Sequence, residues 1–288
     1  SPLFDFEIAE ALSLNCVPVI SSVEEFDALQ SAAAQNNIRL SVQLKIDTGM
    51  ARAGIWHTHA LSLAQKISSS PHLSLLGIFT HLAAGADAVF TSHQRLIFHD
   101  LLRQLPALPP LVHLDASDGF ETFPADPAEN FCNAVRVGRL QYGVPPFNPL
   151  LKTKVSPRPV LSLHARIALI KDLPAGTTVG YRRTHTLVSA SRIAVLAAGY
   201  LDGIPSHLSN RGHMLLHGQR VPIIGRITMD MTMLDITEVP HAHVGDLATL
   251  IGTQGSETIT LGDIAHHTQQ PAWEVLANIG SRVTRVYL

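Results

Sequence analysis

The alternation of apolar runs predicts an α/β domain of parallel βα units followed by a mainly β domain. Two observations carry this. In the first half, short apolar strands and amphipathic stretches take turns, the rhythm of a barrel or an open parallel sheet. In the second, runs such as Val160–Ile170, Thr186–Ala198 and His213–Asp235 are punctuated by Pro174-Ala175-Gly176, His217-Gly218 and Val244-Gly245-Asp246, which are hairpin signals. Lys152, Lys154, Pro157 and Pro159 mark a linker between them, dividing the chain into residues 1–157 and 158–288.

The elements follow in order. Cys16–Ile20 is a compact apolar run, and Ser22 with Glu25 three residues on has the form of a capping box opening a helix that ends near Asn36-Asn37. Leu40, Val42, Leu44 and Ile46 alternate as a strand that stops at Asp47-Thr48-Gly49. A helix over Thr58–Ser68 precedes the strand Leu75–His81. Thr91 or Ser92 caps the next helix, through Leu105, and Pro109-Pro110 resets the chain for Leu111–Ser117. Ala134–Gly138 is the fifth strand of this half. Past the hairpins, short helices near Leu261–His267 and Trp273–Ile279 lead to a final strand over Val283–Leu288. No fixed-period repeat is present.

The composition, 46% hydrophobic and 15% charged over 288 residues, is that of a globular enzyme rather than a disordered or fibrous chain. A formal net charge of −2 without basic runs argues against a nucleic-acid partner. No apolar stretch reaches the ~18 residues a membrane helix needs. Cys16 and Cys132, far apart and outside any CxxC pattern, read as small buried residues of a reducing compartment. Ser1–Glu10 is acidic, unlike a signal peptide, and lacks an initiator methionine, which reads as a fragment or a processed product.

Polar residues gather just after strand ends, where a parallel barrel places its active site. Lys45 to Gly54 is a strand lysine, an Asp-Thr-Gly turn and an arginine before a second glycine; alone it also reads as a surface βα loop. Thr80-His81, His113 with Ser117, and Arg136-Val137-Gly138 end the strands that follow. A lone histidine at such a place is commonly structural, but four successive strands delivering polar groups at one end point to a site. In the second half, Gly180-Tyr181, Gly199-Tyr200-Leu201-Asp202-Gly203 and Gly225–Met231 are turn-like; a tyrosine beside glycine also reads as a packed aromatic, and Met229-Asp230 as a buried methionine with a turn aspartate.

In sequence order these runs resemble the alanine racemase family. Lys45–Gly54 is similar to its KxDTGMxRxG signature. Gly77–Ala83, Arg136-Val137-Gly138 with Tyr142-Gly143, Val179-Gly180-Tyr181, Gly199–Gly203, Gly225–Asp230 and Ile279–Val283 follow at the family's approximate spacing across essentially the whole chain. The resemblance implies a (β/α)8 TIM-type barrel that binds pyridoxal 5'-phosphate (PLP), with about five of its eight strands present here, then a mainly β domain. It implies a head-to-tail homodimer in the cytoplasm that interconverts L- and D-alanine for peptidoglycan by two bases on opposite faces of Cα. Tyr181 would be the base supplied across the dimer. Arg136 would face the pyridine nitrogen, supported by His113, with His81 against the ring. Ser117, the amides of Gly138 and Arg139, Tyr200 and Trp273 would lie at the phosphate and cofactor side. Arg52 and the backbone of Met229 would hold the substrate carboxylate, and Lys45, carbamylated in many relatives, would orient Arg52.

The same resemblance predicts an absence. The family's PLP lysine stands in a Lys-x-x-x-Tyr-Gly-His-Gly type motif, and none of the five lysines here (Lys45, Lys66, Lys152, Lys154, Lys171) has that context. The expectation is a fragment lacking the N-terminal segment, inactive alone, with ~157 residues where a full barrel takes ~250. Smaller departures are Ala116 in place of the usual Asn, Trp273 in place of a phosphate-binding tyrosine, and Arg182-Arg183 where small residues are common. The alternatives are a non-catalytic remnant serving as a dimerisation or binding module, which the upstream reading frame would distinguish, and a metal hydrolase. The sixteen histidines, including His57/His59, His241/His243 and His266-His267, lack an HExxH or comparable spacing, so no metal site is assigned. PLP decarboxylases share the architecture but not the GRxxMDM run.

Overall fold

The computed structural model describes residues 3–85, 87–117, 131–144 and 157–288. The chain divides into two compact units, Ser1–Gly138 with Pro146–Val155, and Arg139–Pro145 with Ser156–Leu288. Most of the expected linker lies outside the described residues.

The first unit comprises α1 (Asp5–Ser13), β1 (Val19–Ile20), α2 (Val23–Gln35), β2 (Leu40–Asp47), β3 (Ile55–Trp56), α3 (His57–Ser69), β4 (Leu73–Phe79), α4 (Ala88–Arg103), β5 (Leu111–Ala116) and β6 (Ala134–Arg136). All its strand pairings are parallel, in the order β1-β2-β4-β5-β6, with β3 beside the end of β2. Each new strand joins the same edge, so the winding is barrel-like and never reverses as in a doubly wound sheet. The core lies between this sheet and its helices: Val42, Leu44, Ile46, Ile78 and Leu114 meet Leu29, Leu63, Ile67, Phe98 and Leu102. Ser22 caps α2 by accepting from the Glu25 amide at 3.2 Å, while the Glu25 carboxylate reaches the Ser21 amide instead of closing the expected box on Ser22.

Two expectations need correction here, and one helix had no counterpart among them. Asp87, not Thr91 or Ser92, caps α4, because its carboxylate accepts from the Phe90 amide at 3.0 Å and Thr91 is already helical, its hydroxyl donating to Ala84 O at 2.9 Å. Helix α1 went unread, since its short apolar face (Ile8, Ala11) carries little periodic signal. And Cys16 is exposed rather than buried, lying in the turn before β1, whereas Cys132 is partly buried.

The second unit is antiparallel throughout. Its strands are β7 (Leu163–Leu173), β8 (Thr178–Val179), β9 (His185–Thr186), β10 (Ser191–Leu196), β11 (His213–Leu216), β12 (Gln219–Pro222), β13 (Thr232–Asp235), β14 (Leu247–Gln254) and β15 (Glu257–Ile259), followed by α5 (Leu261–Thr268) and α6 (Ala272–Ala277). The main sheet runs β12-β11-β14-β7-β10-β13 with β15 on β14, and β8-β9 form a separate pair. Val144, from the segment after β6, packs in this unit's core with Leu196, Ile236, Leu250 and Val275. Residues 283–288 form no strand, against expectation: Arg285 donates back to the carbonyls of Ile279, Gly280 and Val283, and Val286, Tyr287 and Leu288 are exposed without a partner strand.

Leu44, fully buried in the middle of β2, anchors the first core. Leu44→Ala is expected to destabilise the fold by about 2–5 kcal/mol, measured as a reduced denaturation midpoint in urea at unchanged slope.

Candidate functional site

The register of the parallel sheet places the first cluster. Lys45 on β2 pairs with Phe79 on β4, and Phe79 with His113 on β5, so these three share one row across adjacent strands. In a sheet, residues in one row project from one face. The Phe79 and His113 rings accordingly stack at 4.6 Å between centroids and 14° between planes. The Arg136 guanidinium lies 4.9 Å from the Phe79 centroid and Lys45 Nζ 5.8 Å from it, both within cation–π range.

Arg136 is held by four acceptors. Its Nη2 donates to Thr80 O at 2.7 Å, His81 Nδ1 at 2.9 Å and Leu114 O at 3.1 Å; its Nη1 donates to His113 Nδ1. A guanidinium only donates, so both histidines must present a bare Nδ1 to it. His113 therefore carries its proton on Nε2, which lies 2.8 Å from Gln43 Oε1. Burial, with the Arg136 charge adding to it, lowers the His113 pKa to about 4, so the ring is neutral at physiological pH. Ahead of Arg136, the buried Ser117 hydroxyl accepts from the Gly138 amide at 3.1 Å.

The loop after β2 is folded around one carboxylate. Asp47 Oδ1 accepts from the amides of Gly49, Met50 and Ala51 at 2.8, 2.9 and 3.1 Å, and Oδ2 from the Arg52 amide at 3.2 Å. Burial alone would raise its pKa, but these four amides more than offset that and hold it below the usual carboxylate range. Gly54, at φ +122°, returns the chain so close that a Cβ would stand 2.9 Å from the Asp47 nitrogen. Fully buried Gln94 ties the loop to the end of β4 by donating to Thr48 Oγ1 at 3.1 Å and His81 O at 3.2 Å and accepting from the Ala83 amide at 2.9 Å. Burial, then the charges of Arg52 and Arg136, push the Lys45 amine below its ordinary pKa, with Asp47 opposing them.

The second unit holds the remaining candidates. Tyr181 begins a 3-10 turn after β8 and is 72% exposed. The turn containing Tyr200 is bonded to the 225–231 loop, with the Tyr200 amide donating to Thr228 O at 2.9 Å and the Leu201 amide to Met229 O at 3.0 Å. Buried Asp202 closes that turn on the Gly199 amide at 2.9 Å and takes a two-pronged contact from Arg282 at 2.6 and 3.1 Å. The Arg139 guanidinium lies 5.9 Å over the Trp273 ring.

The structure thus gathers Lys45, His113 and Arg136 around Phe79, with His81 bonded to Arg136 and Arg52 near enough to perturb Lys45. It pairs Ser117 with Gly138 and Arg139 with Trp273, ties the Tyr200 turn to the loop carrying Met229 through Tyr200–Thr228 and Leu201–Met229 backbone bonds, and leaves Tyr181 exposed on its own turn. Sequence reasoning missed Gln43, Phe79, Gln94 and the Asp202–Arg282 pair. Only Gln43 carried a signal: Ser41, Gln43 and Lys45 alternate with the buried residues of β2, a polar row on one strand face.

The chain thus carries a barrel-type parallel unit with a cationic cluster at the C-terminal edge of its sheet, followed in sequence by an antiparallel β domain. Residues 4–146 match the family model "Alanine racemase, N-terminal domain" and residues 160–287 "Alanine racemase, C-terminal domain". The chain is 37% identical over 287 residues to the alanine racemase of Methylacidiphilum infernorum, covering 99% of this chain and 72% of that one. With the alanine racemase of Halothermothrix orenii it shares 34% over 279 residues, covering 94% and 72%. Among solved structures, alanine racemase from Streptomyces lavendulae superposes with a TM-score of 0.88 at 30% identity, covering 98% of this chain and 75% of that one. The alanine racemase of Bartonella henselae, described with covalently bound pyridoxal phosphate, gives 0.85 at 26%, covering 100% and 77%. This chain belongs to the alanine racemase family, whose members are PLP-dependent isomerases.

The neutral, buried His113 has a consequence for stability. Its pKa is about 4 in the fold against an ordinary 6.5, so the unfolded chain takes up the proton first. The associated stability is present above about 6.5 and is lost as pH falls through about 4, a change on the order of 2–3 kcal/mol. Chemical denaturation from pH 7 to 4 should show this loss in the wild type and a flatter profile in His113→Gln.

Proposed function

We propose that the protein interconverts the enantiomers of alanine with PLP, using the Arg136 cluster to receive the cofactor ring. The observation that carries this reading is a cation fixed by four acceptors at the end of a parallel sheet, with the neutral His113 behind it. Its contacts among the described residues use Nη1 and Nη2, so the Nε–H remains to donate to a pyridine nitrogen. The donor set therefore fits the group. Gly138 adds to the fit, because a Cβ there would meet nothing within 4 Å, leaving room beside the Ser117 hydroxyl.

When bound, PLP supplies the electron sink that makes the α-proton of an amino acid removable. Arg136 cannot give up its proton, so it would orient the ring through a hydrogen bond without protonating it and keep that sink moderate. His81, bonded to Arg136 at 2.9 Å, would help hold the ring. Ser117, the amides of Gly138 and Arg139, Tyr200 and Trp273 would serve the phosphate and cofactor side, the Trp273 indole N–H standing in for a hydroxyl donor. Arg52 and the Met229 backbone hold the substrate carboxylate. Tyr181 Oη takes and returns the proton at one face of Cα. The lowered basicity of Lys45 and its two cationic neighbours favour addition of carbon dioxide to the neutral amine with release of a proton, giving a carbamate at Nζ that would orient Arg52.

A head-to-tail homodimer belongs to the same reading, supported by the exposure of Tyr181, Met229, Met231 and Tyr200. So does a cytoplasmic location, which rests on the family resemblance; among the described residues no helix is long and apolar enough to cross a membrane. A structure described as a histidine racemase, from Leuconostoc mesenteroides, also superposes, with a TM-score of 0.85 at 26% identity and 98% and 75% coverage. Alanine is therefore to be compared with histidine and serine in one assay; a preference for either over alanine would replace the substrate, and racemisation of none would sink the reading.

In the full-length protein, Tyr181→Phe should slow removal of the α-proton from one alanine enantiomer by about 10²–10⁴-fold while exchange from the other continues. Proton NMR in deuterium oxide, run separately on each enantiomer, reads this. Parental exchange of both would remove Tyr181 from its role.

A further inference from the structure

We propose that Gln43 is a positioning residue for Arg136: its side-chain oxygen accepts the Nε2–H of His113, leaving His113 Nδ1 bare to hold the guanidinium. The inference rests on the reading of Arg136 given above and deepens it.

The geometry is specific. Gln43 lies on β2 two residues before Lys45 and pairs in register with Gly77 on β4. Beyond β4, in the next strand, stands His113, and Gln43 Oε1 reaches its Nε2 at 2.8 Å. The path crosses Gly77, where a Cβ would stand 2.8 Å from Gln43 Oε1 and 3.2 Å from its Cδ and Cγ. Glycine at 77 is therefore what lets a side chain from β2 touch one on β5 across the intervening strand. No other assignment satisfies the donors. Arg136 offers only N–H groups, so His113 Nδ1 must accept, its proton must sit on Nε2, and Gln43 must present oxygen rather than its amide nitrogen. A neutral imidazole with the opposite tautomer would set N–H against N–H at Arg136.

Among the described residues the groups facing His113 come from three strands. Gln43 comes from β2, the Phe79 ring from β4 and Arg136 from β6; Lys45 and His81 surround Arg136, and the Asp115–Arg95 ion pair lies two residues further along β5. Both nitrogens of the ring are thus spoken for, which is why burial and the Arg136 charge keep it neutral rather than merely hidden.

The experiment reads the ring directly, by nitrogen NMR of the full-length protein with ¹⁵N-labelled histidine rings, His113 being assigned by its loss in His113→Gln. The wild type should show a bare Nδ1 and a protonated Nε2 at pH 7. Gln43→Met, which removes the acceptor, should shift His113 toward a mixture of tautomers, and Gly77→Ala, which displaces the Gln43 oxygen, should shift it the same way. Gln43→Glu keeps an acceptor and adds a charge, so it should restore the wild-type tautomer and raise the His113 midpoint by about one unit or more. A protonated Nδ1 in the wild type, or unchanged ring signals in Gln43→Met, overturns the proposal. Should the Met variant not fold, an unmoved midpoint in Gln43→Glu overturns it alone. None of these readouts requires turnover: a wild type that racemises nothing yet shows the tautomer switch would sink the proposed function and leave the role of Gln43 standing.

Discussion

A guanidinium at the edge of a sheet cannot be left to find its own partners, because an unpaired charge removed from water is strongly destabilising. Arg136 meets this constraint with two backbone carbonyls and two imidazole nitrogens, and much of the first unit is arranged so that those acceptors exist. Thr80 O becomes available because β4 ends at Phe79, and Leu114 O because the β5–β6 register shifts between His113 and Ala116. The imidazoles become acceptors only when their protons are placed elsewhere, which for His113 means Gln43. Gln94, meanwhile, holds the carbonyl of His81 and the loop after β2 in place together. The cluster is therefore a hydrogen-bond network whose protonation states are interdependent, a kind that rigidifies when fully satisfied.

Strand register does the long-range placement. One row across three parallel strands carries Lys45, Phe79 and His113, and shifting any of these strands by one residue would turn its member to the opposite face. The buried Leu44 and Ile46 on β2, Ile78 on β4 and Val112 and Leu114 on β5 fix that register hydrophobically from the other face. Core packing and site geometry are thus two sides of the same strands, and the polar row is as well determined as the apolar one.

How much of this could be read beforehand follows from what each feature depends on. The parallel strands and most helices were legible because periodicity and capping are local. So were the residues at strand ends, since their spacing matches a family pattern. Gln43 was not read as part of the site, because its role depends on a glycine in another strand and a proton in a third, and nothing in its own neighbourhood encodes either. The strand expected over 283–288 failed for the converse reason: Val283, Val286 and Tyr287 have the local propensity, but a strand also needs a neighbouring row to pair with, and propensity for strands is mostly context. Asp202 and Arg282, eighty residues apart, show how the Gly-Tyr-Leu-Asp-Gly turn and the Gly-Ser-Arg ending, legible as two separate motifs, become one ion pair only in the fold.

The departure at Arg182-Arg183 has its own physical sense. Both residues sit at positive φ, +61° and +52°, where an L side chain costs roughly 1–2 kcal/mol. Glycine, lacking a Cβ, would lie there without that strain. Here the turn is clamped instead. Arg183 Nε donates to Thr178 Oγ1 at 3.2 Å on the strand leading in, and Asn210 bridges the strand leading out by donating to Thr184 Oγ1 at 3.0 Å and accepting from the Gly225 amide at 2.6 Å. Arg183 is thereby turned back along its own hairpin instead of toward the phenol. Tyr181 is exposed, but the backbone beneath it is tied at both ends, so its ring is presented by a held turn rather than carried on a loose loop. A side chain that must act on a bound substrate gains from that arrangement, since the order it would lose on engagement is already in place.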